Sequence, residues 1–330
     1  MNRKLIPYVN FLLDNNPSPF CDYIICKELL KEDEKTIRDA YEWAKRFKLY
    51  TEIQDEQFPD GSWGGYIDAL SSTQAQNRKY KATARAIGRI LDLSLDEYDP
   101  MTVKTIDYCQ KVVSGEIDTI CMKEKKALKE LNLGQCAVIL SCVYCDLARF
   151  TPENKYVVQM RNEAASHFKK CCINGIFETE KWERLPVNNS RIYGIYGFYN
   201  YRALTHMLSY GDVITEKEQR ILLNREWKNG QFGCDLTEPV SPDVGGEFVT
   251  WMISIEHLKE FSLFPEYMAE KITPYFYSLC ERLIDPGDKI TIAVNRYYGK
   301  TGQYSETWNR NELKKKDLLL RIIRILNLCD

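Results

Sequence analysis

The sequence predicts an all-α fold built from repeated helical hairpins. Apolar residues recur every three or four residues through most of the chain, which is the spacing of amphipathic helices. No alternation of apolar and polar residues runs long enough for a convincing strand. Four times a glycine is followed, one residue later, by an aromatic residue: Gly61-Ser62-Trp63, Gly175-Ile176-Phe177, Gly230-Gln231-Phe232 and Gly302-Gln303-Tyr304.

These glycines mark an internal repeat. A degenerate fifth copy at Gly115 fills the largest gap, so the steps are about 54 to 72 residues, enough for one helical hairpin and a loop. Asp60, Asn174 and Asn229 precede three of the glycines, as is typical of turns, because Asp and Asn bond the local backbone while Gly accepts positive φ. Hairpins of this kind stack side by side, so the chain forms either an open solenoid or a closed ring.

Ten segments carry the helical spacing. In the segment 77–93, Tyr80, Ala84, Ile87 and Leu91 share one face. The other nine predicted helices are 34–50, 102–113, 134–149, 153–170, 201–210, 216–227, 247–261, 266–283 and 312–328. The repeat runs through the chain without a linker or a break in composition, so residues 1–330 are predicted to form one domain.

The composition is that of a globular protein, with 44% hydrophobic and 28% charged residues. The 45 basic and 47 acidic residues leave a net charge of −2, so no strong field attracts nucleic acid or an anionic membrane. We find no export signal and no membrane-length apolar run, and we expect a cytoplasmic protein. The 12 cysteines should then be reduced, and Cys142-Val143-Tyr144-Cys145 should pack in the core.

Residues 57–65, Gln-Phe-Pro-Asp-Gly-Ser-Trp-Gly-Gly, resemble the QW motif, Q-x3-G-x-W, of the squalene–hopene cyclase and terpene cyclase superfamily. That superfamily shares its α/α toroid with protein prenyltransferase β subunits, and uncharacterised bacterial prenyltransferase-repeat proteins have a similar layout. The later copies depart from the motif at four positions: Phe177, Phe232 and Tyr304 replace tryptophan, and Asn224 replaces glutamine. The resemblance implies an α/α toroid of about five to six hairpins, in which Gln57, Asp60 and Trp63 tie a helix end to its neighbour.

The sequence lacks the reactive motifs of the families that it resembles. It has no D-x-D-D run, with which class II cyclases protonate an alkene, and no D-D-x-x-D cluster, with which class I enzymes bind metal. The zinc site of prenyltransferase β subunits uses Asp, Cys and His. Cys234, Asp235 and His257 are the candidates in this chain, but nothing in their spacing fixes a site. We therefore predict no metal and no cofactor.

Two loops are the predicted walls of a ligand site. The loop 191–202 holds five aromatic residues between two arginines, and aromatic faces stabilise carbocations or stack on sugar rings. Its substrate-binding candidates are Arg191, Tyr193, Tyr196, Tyr199, Tyr201 and Arg202. The loop 234–247 carries four acids that serve as general acid or base if burial shifts their pKa values. These catalytic candidates are Asp235, Glu238, Asp243 and Glu247.

Three functions stay open at this point. The leading hypothesis is a terpene cyclase-like or prenyltransferase-like protein that binds a hydrophobic, isoprenoid-like molecule in a central cavity, with its reaction unassigned. The first alternative is a carbohydrate-active enzyme, lyase-like or hydrolase-like, because α/α toroids also host such enzymes. The second alternative is a non-catalytic scaffold whose partner is another protein. The sequence leaves the oligomeric state undecided.

Overall fold

The computed structural model describes residues 2–66, 80, 82–117, 141–173, 175–177, 205–228, 234–292, 303–305 and 307–329. Helices dominate these ranges, and the strands within them are one antiparallel pair of two residues each, Cys172–Ile173 and Ile176–Phe177. The prediction of an all-α fold is therefore confirmed. The closed arrangement of hairpins in a toroid stays a prediction.

Thirteen α-helices have bounds within the described ranges, and we number them in chain order. They are α1 (Ile6–Asp14), α2 (Pro19–Ile24), α3 (Glu34–Ala44), α4 (Lys48–Glu56), α5 (Thr83–Asp92), α6 (Pro100–Val113), α7 (Ser141–Phe150), α8 (Lys155–Cys171), α9 (Glu216–Lys228), α10 (Gly246–Leu258), α11 (Phe264–Ala269), α12 (Ile272–Ile284) and α13 (Asn311–Cys329). A π-helix, Ile25–Leu30, continues α2, and two 3₁₀ turns lie at Arg3–Leu5 and Pro242–Val244.

The chain divides into two compact units. Unit 1 joins Met1–Glu52 to Leu223–Asp330, and unit 2 is Ile53–Leu222. Each unit is described by itself below. The single domain over residues 1–330 stays a prediction.

Two predicted helices are in fact pairs of helices. The segment 266–283 divides into α11 and α12, because Pro274 has no N–H to donate and its ring would clash with the carbonyl of Glu270 in a continuous helix. The segment 34–50 breaks after α3, where Phe47 N–H bonds to Ala44 O with three-residue spacing. Helices α1 and α2 were not predicted from the sequence.

In unit 1 the two ends of the chain pack together. The Ser18 hydroxyl, which caps α2, donates to the carbonyl of Tyr304 at 2.7 Å. Arg324 of α13 donates to both carboxylate oxygens of Glu28 at 2.7 and 2.8 Å, and its third nitrogen donates to the Tyr304 hydroxyl at 2.7 Å. Such a bidentate pair fixes geometry as well as adding energy, so it joins the π-helix to α13.

Unit 2 is built around an apolar cluster drawn from α5, α6, α7 and α8. Cys142 and Cys145 of the CxxC sequence are both buried there, beside Val143 and Leu147, which confirms the prediction that they pack in the core. Tyr66 is fully buried in the same cluster, and its hydroxyl donates to Asp146 at 2.8 Å. None of the ten described cysteines forms a disulfide bond.

The turn after α4, residues 57–66, is the first glycine–aromatic corner, and we call it the Gln57 corner. The Trp63 side chain is fully buried, and its indole N–H donates to Ile53 O at 2.8 Å, back in α4. The Trp63 backbone N–H donates to the Thr83 hydroxyl at 3.1 Å. Trp63 therefore links the helix before the corner to the helix after it.

Gln57 ties this corner to a third helix. Its side-chain amide donates to Gly61 O at 3.2 Å, to Met101 O at 3.0 Å and to the Thr105 hydroxyl at 3.1 Å. Gly61 has a φ of +91°, and a Cβ atom at this position would lie 2.2 Å from Lys104 O. The corner therefore lies directly on the backbone of α6.

Replacing Gln57 with glutamate should destabilise the protein. The new carboxylate would face the carbonyls of Gly61 and Met101 with no N–H to donate, so we expect unfolding to become easier by about 2 kcal/mol. Chemical denaturation followed by tryptophan fluorescence measures the change. Gln54→Glu, an exposed change three residues earlier in α4, is the matched control. Equal stabilities of the two variants would show that the Gln57 hydrogen bonds do not stabilise the corner.

The other corners share some of these features. Gly115 and Gly175 also have positive φ, +83° and +78°, and Gly175 joins the two short strands. At the last corner Tyr304 is buried, and its backbone N–H donates to Asp317 Oδ2 at 2.9 Å. The aromatic residue of the first and the last corner thus donates in the same way to a side chain of the following helix. Ile176, the residue between the glycine and the aromatic of the Gly175 corner, is exposed, whereas Ser62 at the same place in the first corner is buried.

Candidate functional site

The first predicted wall of the site, the aromatic loop 191–202, lies outside the described residues. This concerns all six substrate-binding candidates: Arg191, Tyr193, Tyr196, Tyr199, Tyr201 and Arg202. Their role stays a prediction.

The second predicted wall, the loop 234–247, lies in unit 1 between α9 and the first turn of α10. All four predicted catalytic acids are exposed to solvent. Asp235 accepts hydrogen bonds from the backbone N–H and the hydroxyl of Thr237 at 2.8 and 2.6 Å, and Glu238 pairs with Lys271. Asp243 lies in a 3₁₀ turn, and Glu247 is the second residue of α10.

The local hydrogen bonds of this loop favour ionised acids. Those from Thr237 lower the pKa of Asp235, and the one from the Ser241 hydroxyl lowers the pKa of Asp243. With lowered pKa values, the carboxylates of Asp235 and Asp243 are charged near neutral pH. They can therefore act as a base or form an ion pair more readily than they can donate a proton. The catalytic role of Asp235, Glu238, Asp243 and Glu247 stays a prediction.

No group of three His, Cys, Asp or Glu side chains that could hold a metal ion occurs among the described residues. Cys234, Asp235 and His257, the zinc-ligand candidates from the sequence, therefore form no such group. Burial, with a smaller effect from the charge of Asp235, raises the pKa of Cys234. Because zinc binds the thiolate, a raised pKa opposes coordination.

The described residues reveal a cavity that was not predicted from the sequence. It has a volume of about 210 Å³ and lies in unit 1 between the loop before α2 and α13. We call it the Asp317 pocket. Its polar lining includes Ser18, Cys21, Ser305, Lys316 and Asp317.

Asp317 is the buried charge of this pocket, at 1% exposure. Its Oδ2 accepts from the backbone N–H groups of Tyr304 and Ser305, both at 2.9 Å, and from the Trp308 indole N–H. Its Oδ1 accepts from the Ser305 hydroxyl at 2.7 Å. The Asp317 carboxylate thus accepts four hydrogen bonds from the protein. These bonds hold the last glycine–aromatic corner, at Tyr304, against α13.

Burial raises the pKa values of two groups in the Asp317 pocket, the Asp317 carboxyl and the Cys21 thiol. Desolvation raises the pKa of Asp317, and the four hydrogen bonds oppose that rise. Burial, helped by the charge of Asp317, also raises the pKa of Cys21 well above its usual value. The Cys21 side chain is therefore a neutral thiol at physiological pH and a poor nucleophile.

The raised pKa of Asp317 predicts a specific dependence of stability on pH. The native state binds this proton more tightly than the unfolded chain, whose aspartate pKa is about 3.9. The contribution of Asp317 to stability is thus greatest below about pH 4 and declines as pH rises through the native pKa. The free-energy gap between the wild type and Asp317→Asn should narrow between about pH 4 and pH 7. Chemical denaturation measures that gap, and a constant or widening gap would contradict the assignment.

The sequence does contain a signal for Asp317. Leu313, Asp317 and Leu320 recur at helical spacing along α13, so an acid stands between two leucines on one face of the helix. A charge in such a position is buried with partners or is functional. The helical pattern does not show which donors reach the carboxylate, because they belong to the irregular segment before α13.

Comparison with protein-family profiles, with curated proteins and with solved structures yields no match to this chain. Among the described helices, none combines the length and the apolar character needed to span a bilayer.

Proposed function

We propose that the protein is a terpene cyclase-like or prenyltransferase-like helical-repeat protein that binds a hydrophobic, isoprenoid-like molecule. The observation that carries the proposal is the Gln57 corner. Its glutamine bonds to α6, its glycine lies against that helix, and its tryptophan is buried and bonded to α4 and to the start of α5. These are the ties that the resemblance implies for the corners of an α/α toroid.

The last corner adds support from the other end of the chain. Trp63 and Tyr304 are both buried, and the backbone N–H of each donates to a side chain of the helix that follows, Thr83 Oγ1 or Asp317 Oδ2. A shared construction at distant points is typical of repeat proteins. It supports the proposal that the repeat in the sequence is also a repeat of the fold.

The ligand site of this proposal is the aromatic loop 191–202, with Tyr193, Tyr196, Tyr199 and Tyr201 presenting rings to the ligand and Arg191 and Arg202 at its ends. A cluster of aromatic faces suits an apolar or cationic guest. The reaction stays unassigned, since the lowered pKa values of Asp235 and Asp243 make these two acids poor proton donors. The proposal places the protein in the cytoplasm, with no cofactor and no nucleic-acid partner.

Native mass spectrometry of the purified full chain tests the proposal. The protein is incubated in parallel with squalene, with polyprenyl diphosphates and with neutral oligosaccharides of similar mass. We expect one of the isoprenoids to be retained at a stoichiometry of one and the sugars to be lost. Retention of sugar alone would replace the proposal with the carbohydrate-active alternative, and retention of neither would refute ligand binding.

Single substitutions sharpen that test. Tyr196→Ala or Tyr199→Ala should weaken isoprenoid binding about tenfold, because each removes one aromatic face. Tyr98→Ala is the matched control, since Tyr98 is 80% exposed in a loop of unit 2. If Tyr98→Ala weakens binding as much as the other two changes, the ligand does not lie on the aromatic loop.

A further inference from the structure

A buried arginine in unit 2 has no counter-charge within the part of the chain that the structure describes. Arg161 of α8 is only 6% exposed, and within the described residues its Nη1 donates to Pro152 O at a long 3.3 Å. Its Nε is buried without a hydrogen-bond partner, and no carboxylate pairs with it among the described residues. A guanidinium carries five N–H donors, so most of its bonding capacity is unused.

The turn at Gly211 lies directly against the guanidinium of Arg161. Gly211 has a φ of +70°, and a Cβ atom there would lie 2.5 Å from Cζ of Arg161 and under 3 Å from both terminal nitrogens. Any side chain at this position would displace the charged group. The neighbouring Asp212 is exposed and forms no ion pair with Arg161 in the described structure. A buried charge with no acidic partner in the described ranges is costly to a fold, so an anion from outside the chain would complete the site.

A basic groove begins beside this turn. It has a volume of about 500 Å³, and Asn162, Ser166, Lys169 and Lys170 of α8 line it with Val213, two residues after Gly211. Asn162, Ser166 and Lys169 or Lys170 are spaced at intervals of three and four, so they share one face of the helix. No carboxylate lines the groove within the part of the chain that the structure describes. The groove therefore presents two ammonium groups, an amide and a hydroxyl.

An acid of α9 only partly neutralises these lysines. Glu218 Oε2 approaches Lys169 to 4.0 Å, but the same oxygen accepts from the backbone N–H and the hydroxyl of Thr215 at 2.7 and 2.9 Å. Glu218 is thus engaged in the cap of α9. Lys170 forms no ion pair with any other described residue.

We propose that this groove binds a phosphoryl group, with Lys169, Lys170, Asn162 and Ser166 as its donors and with Arg161, the residue before Asn162 on α8, as a buried cation next to it. Three cations against one engaged carboxylate suit a dianion better than a carboxylate ligand. The tetrahedral oxygens of a phosphoryl group also accept several donors at once. The proposal is independent of the isoprenoid site, because it concerns other residues and a polar ligand.

Calorimetric titration of the full chain with inorganic phosphate, and separately with phenyl phosphate, tests the proposal at constant ionic strength. Both should bind at one site, acetate should bind more weakly, and phosphate should raise the melting temperature. Lys170→Gln should weaken phosphate binding about tenfold. Lys104→Gln, an exposed change elsewhere in unit 2, should leave it unchanged. Phenyl phosphate binding more tightly than phosphate would identify an organic phosphate ester as the ligand class.

Arg161→Met separates a ligand anchor from a structural arginine. Without phosphate this variant should be as stable as the wild type or more so, because the uncompensated charge has been removed. With phosphate it should lose the rise in melting temperature that the wild type shows. A large loss of stability in phosphate-free buffer would overturn the proposal, and so would phosphate binding that is absent in the wild type or unchanged in Lys170→Gln and Arg161→Met.

Discussion

Replacing Gly61 with alanine is expected to lower the free energy of unfolding by about 3 kcal/mol or more. Two effects add at this position. A residue with a Cβ atom adopts a φ of +91° only under strain, and that Cβ would lie 2.2 Å from Lys104 O and 3.2 Å from the Tyr108 Cβ. The backbone of α6 or the corner must move, which would also disturb the hydrogen bonds of Gln57.

Gly115→Ala is the matched control for Gly61→Ala. Gly115 has a similar φ of +83°, but nothing lies within 4 Å of the position that its Cβ would take. It should therefore show only the backbone strain, about 1 kcal/mol. Urea denaturation of both variants, followed by tryptophan fluorescence, gives the difference. If the two variants lose equal stability, the close approach of the corner to α6 is not a constraint on the fold.

Replacing Asp317 with alanine is expected to be comparably severe, with a loss of about 4 kcal/mol. The change would leave the N–H groups of Tyr304, Ser305 and Trp308 without their acceptor in a buried place. It would also remove the hydrogen bonds that join the last corner, at Tyr304 and Ser305, to α13. Because the two chain ends meet there in unit 1, the loss should appear in the unfolding of that unit.

Glu312→Ala provides the control for Asp317→Ala. Glu312 lies in the first turn of the same helix and is exposed, so its removal should cost well under 1 kcal/mol. Asp317→Asn should fall between the two, because an amide oxygen still accepts some of the donors. Near-wild-type stability of Asp317→Ala would show that the four hydrogen bonds do not hold the corner.

The helical character of the fold was predictable because helix spacing is a local property. Helices α6, α8, α9, α10 and α13 begin and end within about three residues of the predicted bounds. The start of α9 follows from a capping box, in which the Glu218 N–H donates to the Thr215 hydroxyl at 3.3 Å and Glu218 accepts from the Thr215 N–H at 2.7 Å.

Other features depend on long-range contacts that no local pattern contains. Arg161 is one position on an amphipathic helix, and its guanidinium lies against the Gly211 turn, 50 residues later in the chain. The exposure of Asp235 and Asp243 likewise depends on tertiary packing. The sequence of their loop therefore did not show whether burial would raise their pKa values. A local detail also differed, because α8 starts at Lys155, after the Asn154 cap, and not at the predicted residue 153.

The most direct test of ligand binding at the aromatic loop is photo-crosslinking with an isoprenoid analogue that carries a diazirine, followed by peptide mapping. We expect the label to fall on the segment 191–202 and to disappear when an excess of the unlabelled isoprenoid is present. Labelling that is scattered over the surface, or that persists in the presence of the competitor, would contradict an isoprenoid site on this loop.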